Sequence, residues 1–221
     1  MAKFLFSSKF GGVSAGDFAE LNLGNHVGDL PDAVLKNRTQ LRSYLALQHL
    51  VFMNQSHGSE IFTVEKNYPD QIDADALITS DPSIGIAVLT ADCIPLLIDA
   101  GNCVAAVHVG RKGLAGGIIP RVLEALINKG GSQMKAWIGP AICGQCYEVS
   151  PEIYADVVRE IPETATSLES HRLDLPAGAI AQLREYGVAT ENFHRCTLES
   201  PQYYSYRGQA RTGRFAGVIS L

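Results

Sequence analysis

The chain has 221 residues, 46% hydrophobic and 19% charged, which is long and apolar enough for a sizeable core and too weakly charged for long disorder. Lys plus Arg total 18 against 23 Asp plus Glu, a formal net charge of −5, which argues against nucleic acid as the partner. The N-terminal apolar run, Phe4 to Phe6, is far shorter than a signal peptide. The most apolar stretch, 84–100, is interrupted by Asp92 and rich in β-branched residues, so it reads as strands and not a membrane span. The expectation is a cytoplasmic protein with no membrane partner. Five cysteines, an odd number without dense spacing, suit reduced thiols better than a disulfide framework.

Residues 4–6 predict a short strand. The segment from Gly11 to Asp29 is rich in Gly, Asn, Asp and Ser and predicts a structured loop, either functional or packed by Phe18, Leu21 and Leu23. Pro31 opens a helix whose stripe of Val34, Leu35, Leu41, Leu45 and Leu47 extends it to about Gln48. Strand-like runs follow at 50–53, 61–64, 76–78, 84–90, 95–98 and 103–109. A helix over 115–128 ends at Gly130–Gly131. A strand at 134–138 and helices over 151–159 and 176–186 come next, and FAGVISL closes the chain as a buried strand. Strands concentrated in the middle with helices spread around them give an α+β layered domain with a mixed sheet, residues 1–221 forming one unit. The βαβα alternation and the Gly-rich fingerprint of a dinucleotide fold are absent.

Three segments put a metal-ligating side chain at a strand end: His57 in NQSHG, Cys93 in LTADC and His108 in AAVHVG. Two imidazoles and a thiolate suit Zn²⁺ and leave a fourth position for water or substrate. Each residue alone has a bland reading, a hydrogen-bonded histidine or a core cysteine. The neighbours Gly58, Asp92 and Gly110 are what favour a shared site.

Several blocks in order carry a resemblance across almost the whole chain. GGVSAGDFAELNLGNHVGD, Asn37–Arg38, NQSHG, DALITSDPSIGIAVLTADCIPLLIDA, VAAVHVGRKGLAGGII, AWIGPAICGQCYEVS and YYSYRGQARTGRFAGVISL resemble the bacterial YfiH-type family, also called laccase-domain or multicopper-oxidase-like proteins. The resemblance implies an α-β sandwich with mixed sheets, related to a toxin cysteine deamidase, and metal ligands at His57, Cys93 and His108. It also implies a zinc enzyme that phosphorolyses adenosine, inosine, guanosine and methylthioadenosine and deaminates adenosine. On that reading the substrates are a purine nucleoside and phosphate. Asp92 would relay a proton beside the metal, and Lys9, Arg38 or Lys112 would steady phosphate. A second reading is peptidoglycan editing, an amidase removing serine from a UDP-muramyl nucleotide precursor, with zinc-bound hydroxide or a Cys93 nucleophile activated by His57 or His108. A third is a binding protein that a metal merely stabilises, which a closed four-ligand site would favour.

Where the family commonly has HAGWRG this chain has HVGRKG, so Arg111 and Lys112 stand for an aromatic ring and a guanidinium. Lys9 likewise replaces a common arginine, and Cys143 and Gln145 alter a GPAIGPCC-like block. Copper in a His₂Cys set is an adventitious possibility. Six histidines with no H-x-H pair exclude a multicopper cluster. Cys143-Gly-Gln-Cys146 resembles a redox pair but has no second pair to complete a Cys₄ zinc site. The spacing of His57 to Glu60 and of Pro140 to Cys143 departs from the nucleobase-deaminase signature. Arg207, Arg211 and Arg214, with Tyr203, Tyr204 and Tyr206, read as either an anion pocket or a solvated face.

Overall fold

Strand β1 (Lys3–Phe6) is followed by the 11–29 loop, whose only regular piece is a 3₁₀ turn at Gly16–Phe18. Helix α1 (Pro31–Tyr44) leads to β2 (His49–Phe52), β3 (Ile61–Thr63), β4 (Ala76–Thr79), β5 (Ile84–Thr90), β6 (Ile94–Asp99) and β7 (Val104–Val109). Then come α2 (Arg111–Ala115), α3 (Ile118–Asn128), β8 (Lys135–Ile138) and α4 (Pro151–Glu160). The hairpin β9 (Ala165–Ser167) and β10 (Arg172–Leu173), helix α5 (Leu175–Glu185), β11 (Ala189–Asn192) and β12 (Phe215–Ser220) complete the chain. The structure is a computed structural model and describes residues 2–221. Among these residues, no helix is long and apolar enough to cross a membrane.

Two mixed sheets stack face to face. One has the order β1-β12-β5-β2 and the other β11-β8-β6-β7-β4-β3. The strand period of two assigns the side chains. Leu77, Leu97, Val104, Ala106 and Trp137 meet Val51, Ile84, Ile86, Val88 and Ile219 between the sheets. On the outer face of the six-stranded sheet, Ile78, Leu96, Ile98, Ala105 and Val107 pack on Leu114, Ile118, Val122 and Leu126, with Ala179 and Leu183 of α5. The outer face of the four-stranded sheet is covered by Leu41 of α1 and by Leu21 and Leu23 of the 11–29 loop. The architecture is the expected α+β sandwich with mixed sheets, and the 11–29 loop packs onto it through Leu21 and Leu23, with Phe18 also buried.

Local chemistry explains where element bounds differ from the sequence pattern. Helix α1 stops at Tyr44, not Gln48, because Ala46 takes φ 53°. The freed Leu47 then lies against the bare backbone of Gly85, where a Cβ would come within 2.5 Å of its Cδ1. The helix expected over 115–128 begins at Ile118 instead, because a separate short helix, α2, ends at Ala115 and the chain breaks at Gly116–Gly117, with Gly117 at φ 72°. Polar Ala-Thr-Glu-Asn forms the edge strand β11, parallel to β8.

Topology brings three chain segments to one end of the sandwich. β2 and β5 run parallel in one sheet, so both finish at the same end. Both chains then cross to the other sheet, β2 towards β3 and β5 into β6. β7 runs antiparallel to β6, so its last residues lie beside the first of β6, with His108 opposite Pro95.

Candidate metal centre

The β2–β3 crossover carries His57, the β5–β6 crossover carries Cys93, and β7 ends at His108 and Val109. One ligand atom from each of these three residues lies within 4.8 Å of the others. The His57 and His108 rings meet edge to face, with centroids 4.7 Å apart. Alternation along β7 turns His108 to the side of Val104 and Ala106, into the space between the sheets.

The residue that organises this site is Asp75, immediately before β4. Its carboxylate accepts from His108 Nδ1 at 2.8 Å and from the backbone N–H of His57 at 3.0 Å. It also accepts from the N–H of Ser56, the Ser56 hydroxyl and the N–H of Gly58, at 3.2, 2.9 and 2.7 Å. The side chains of His108 and Asp75 are 3% and 0% exposed, so the pair is desolvated. Burial pushes the Asp75 carboxyl up, but His108 and the Gly58 N–H outweigh it and hold it well below the usual range. Burial pulls the His108 imidazole down, yet the Asp75 hydrogen bond, then Cys93, raise it to about 9. Holding the Nδ1 proton on Asp75 leaves Nε2 as the ligand atom, the arrangement that orients metal-binding histidines.

Burial also pushes the Cys93 thiol up, but His108 and His57 bring it down to about 6. A thiolate is what both a metal and a nucleophilic role require. Space is provided as well: a Cβ on Gly110 would stand 3.1 Å from His57 Cδ2, 3.2 Å from Cys93 Sγ and 3.7 Å from His108 Cε1. The donor set and the gap left by glycine fit a small divalent ion.

Two ligand-bearing turns use left-handed backbone. His57 has φ 61° and Asp92 φ 97°, conformations that persist where surrounding bonds fix them. Asp75 fixes the first. Gln55 adds a two-way clamp, donating to Leu89 O at 2.7 Å and accepting from Leu89 N–H at 2.8 Å. For the second, the Asp92 carboxylate accepts from Thr197 Oγ1 and Ser205 Oγ, each at 2.7 Å, and from Arg207 N–H at 2.8 Å. The Asp92 carbonyl accepts from Ile142 N–H at 2.9 Å. The Thr90 hydroxyl donates to the Cys93 carbonyl.

The basic candidates divide. Arg38 donates Nε–H to Leu23 O at 2.8 Å, and its guanidinium lies 4.0 Å from the centre of the Phe52 ring. Burial lowers it to about 10. Desolvation, then the charges of Arg214 and Arg38, with smaller effects of His108 and His57, push the His26 imidazole down. Arg214 feels Cys93 and Asp92 in turn. Arg38 and Arg214 are the cationic side chains whose charge reaches this part of the molecule, and they favour the neutral form of His26. Lys9 stands at a separate cavity of about 520 Å³ with Thr197, Tyr203 and Tyr204, and its ammonium lies 5.7 Å from the Phe10 ring. Lys112 is exposed on α2. Arg111 lines another cavity of about 730 Å³ with Cys146, Tyr147 and Arg207.

Sequence reasoning missed Asp75, although a carboxylate leading directly into the fully buried β4 is a visible signal. It also missed His26, which lies in the 11–29 loop, and the approach of Cys196 and Glu199 to the Cys143–Cys146 pair.

Comparison with known proteins shows relatives over the whole length of this chain. A Streptomyces griseus protein named purine nucleoside phosphorylase ORF3 is 40% identical, covering 100% of this chain and 94% of its own. Purine nucleoside phosphorylase PA4543 of Pseudomonas aeruginosa is 34% identical over 97% of this chain and 91% of its own. Among solved structures, the Neisseria meningitidis protein NMB0706 superposes with TM-score 0.91 at 35% identity, covering 100% of this chain and 94% of that one. Bacillus licheniformis YfiH also gives 0.91, at 30% identity, over 100% and 92% of the two chains. The family profile described as multi-copper polyphenol oxidoreductase laccase matches residues 3–221, and the chain belongs to that family.

Proposed function

We propose that this protein is a zinc-dependent purine nucleoside phosphorylase acting on adenosine, inosine, guanosine and methylthioadenosine, with adenosine deamination as a side reaction. The observation that carries the reading is the convergence of His57, Cys93 and His108 within 4.8 Å, in a chain whose full-length relatives are named purine nucleoside phosphorylases.

His57, Cys93 and His108 would hold the zinc, which when bound supplies Lewis acidity towards a phosphate oxygen or an acidified water. In phosphorolysis a phosphate oxygen forms a bond to C1′ of the ribose while the glycosidic C–N bond breaks and the base leaves with a proton. Arg38 and Arg214 supply fixed positive charge for the phosphate. Lys9 and Lys112 are further candidates to steady it. Asp75 keeps the His108 proton on Nδ1. Three donors already engage the carboxylate of Asp92, so its part in this reading is to position the turn that carries Cys93, and a direct proton relay has little accepting capacity left. The protein works in the cytoplasm on small molecules.

The depressed Cys93 thiol between two imidazoles favours one further reading, an amidase that attacks the serine amide of a muramyl nucleotide through Cys93. Purified zinc-loaded protein is given adenosine with phosphate, adenosine without phosphate, and the UDP-muramyl-serine nucleotide, and products are separated by chromatography. Adenine and ribose 1-phosphate formed only with phosphate support phosphorolysis. Serine release, with the nucleosides untouched, would sink it in favour of the amidase.

A further inference from the structure

Cys143, Cys146 and Cys196 form a second sulfur cluster that plays no part in the proposed reaction. Its assembly follows from the sheet. β8 and β11 are parallel neighbours with Ile138 opposite Asn192, so both chains leave the sheet at the same end and side by side. The pairing continues beyond the strands as a parallel bridge between Ala141 and Cys196. Ala141 N–H donates to Arg195 O at 3.0 Å and Thr197 N–H donates to Ala141 O at 3.1 Å. Two tight turns then start beside each other. In the first, Cys143 O accepts from the N–H groups of Cys146 and Tyr147, at 3.0 and 3.1 Å, which curls Cys143-Gly-Gln-Cys146 so that its two sulfurs face one point. In the second, Cys196 O accepts from Ser200 N–H at 3.0 Å, which curls Cys196-Thr-Leu-Glu199 in the same way.

The three sulfurs and a Glu199 carboxylate oxygen all lie within 4.8 Å of one another. A tetrahedral ion with metal–sulfur bonds of about 2.3 Å sets its sulfurs about 3.8 Å apart, so a small contraction closes the set. We propose that Cys143, Cys146, Cys196 and Glu199 are a second metal site, for a thiophilic divalent cation of the zinc class. Four protein ligands leave no open position, which makes the site structural and not catalytic. A disulfide accounts for the cluster less well: three thiols leave one unpaired, and neither Glu199 nor the matching two-residue spacing of both turns would have a role.

The site has a definite mechanical task. Thr197, next to Cys196, holds the Asp92 carboxylate. Ile142, next to Cys143, holds the Asp92 carbonyl. An ion gripping Cys143 and Cys196 would tie together the two segments that fix the turn carrying Cys93.

The test uses Cys93→Ala full-length protein under reducing conditions, since it has no thiolate at the first site. Titration with Co²⁺ should give an intense thiolate-to-metal charge-transfer absorption and the visible bands of tetrahedral coordination, and Zn²⁺ should displace both. In the same background Cys143→Ser should weaken the charge-transfer band, and Glu199→Gln should lower affinity by about 10–100-fold with the band retained. Elemental analysis of the desalted, zinc-loaded Cys93→Ala protein should find zinc that Cys143→Ser loses. No charge-transfer band in the Cys93→Ala protein, or a band indifferent to both cluster substitutions, would overturn the proposal. So would a disulfide within the cluster that resists reduction in the folded protein. The cobalt spectrum of Cys93→Ala alone decides the matter if the serine variant fails to fold.

Discussion

A methyl group at Gly110 would meet His57 and Cys93 at 3.1 and 3.2 Å, tighter than the ligands tolerate without moving. The backbone there, φ −85° and ψ 169°, accepts alanine. Gly110→Ala is therefore expected to fold and to lose metal affinity by roughly tenfold or more, as measured by competition with a chelator. Wild-type affinity in that variant would mean that the ligands have room elsewhere. Asp75→Asn tests the other side of the site. Asparagine keeps the shape but turns an NH₂ group towards donors and removes the charge facing His108. Metal affinity should fall about 10–100-fold, and denaturant unfolding should show a loss on the order of 3–5 kcal/mol from the broken buried pair. An unchanged midpoint and unchanged affinity would remove Asp75 from its organising role.

At the level of elements, the decisive contact is between the β5–β6 crossover and the segment from Cys196 to Arg207. Asp92 is buried at φ 97° and depends on donors that lie more than a hundred positions away in the chain. Thr197→Val removes one donor to a buried carboxylate at nearly constant shape. It should cost about 1.5–3 kcal/mol in denaturant unfolding, while Thr197→Ser, which keeps the hydroxyl, should recover most of it. Equal stability of the two variants would show that Thr197 matters only for packing. This long-range dependence also explains what could be read from the chain. Cys93 and His108 were legible as candidate ligands because in each segment the apolar run stops at a polar residue, and β5, β6 and β7 were legible because they are continuous apolar runs. Asp75 was hidden because its partners come from sequence segments 17 to 33 positions away, joined only by sheet register. The end of α1 was hidden because Leu45 and Leu47 continue the helical stripe while packing on the sheet. Strand β11 was hidden because its alternating exposed and half-buried side chains carry little apolar signal at a sheet edge. The C-x-x-C turn was legible as a pair, but its partner turn became visible only through the pairing of β8 with β11.

For the whole molecule, the Asp75–His108 pair links pH, metal and global stability. Asp75 is held below its ordinary value of 3.8, so its contribution is present above that pH and is lost as pH falls through the lower folded value. His108 is raised from 6.5 to about 9, so its contribution is complete below 6.5 and is lost as pH rises through 9. Both describe one interaction, counted once. The Cys93 thiol, brought down to about 6, works the other way and gains stability as pH rises through 6 towards 9, so the two shifts offset one another and metal-free protein should hold a nearly level thermal midpoint from roughly pH 4 to 9. Metal binding adds a dependence on pH of its own. On the proposed reading the ion takes Nε2 of His108 in place of a proton and binds the Cys93 thiolate, so its affinity rises with pH while His108 Nδ1 keeps the proton that faces Asp75. Each tenfold excess of metal over its dissociation constant adds about 1.4 kcal/mol to the folded state. Thermal unfolding of metal-free and zinc-loaded protein should accordingly diverge as pH rises from 6 to 9, the gap being widest at the alkaline end. In Cys93→Ala protein the divergence should shrink, since the softest ligand of the site is gone. A gap between loaded and metal-free protein that stays constant over that range would show that neither His108 nor Cys93 gives up a proton to the metal.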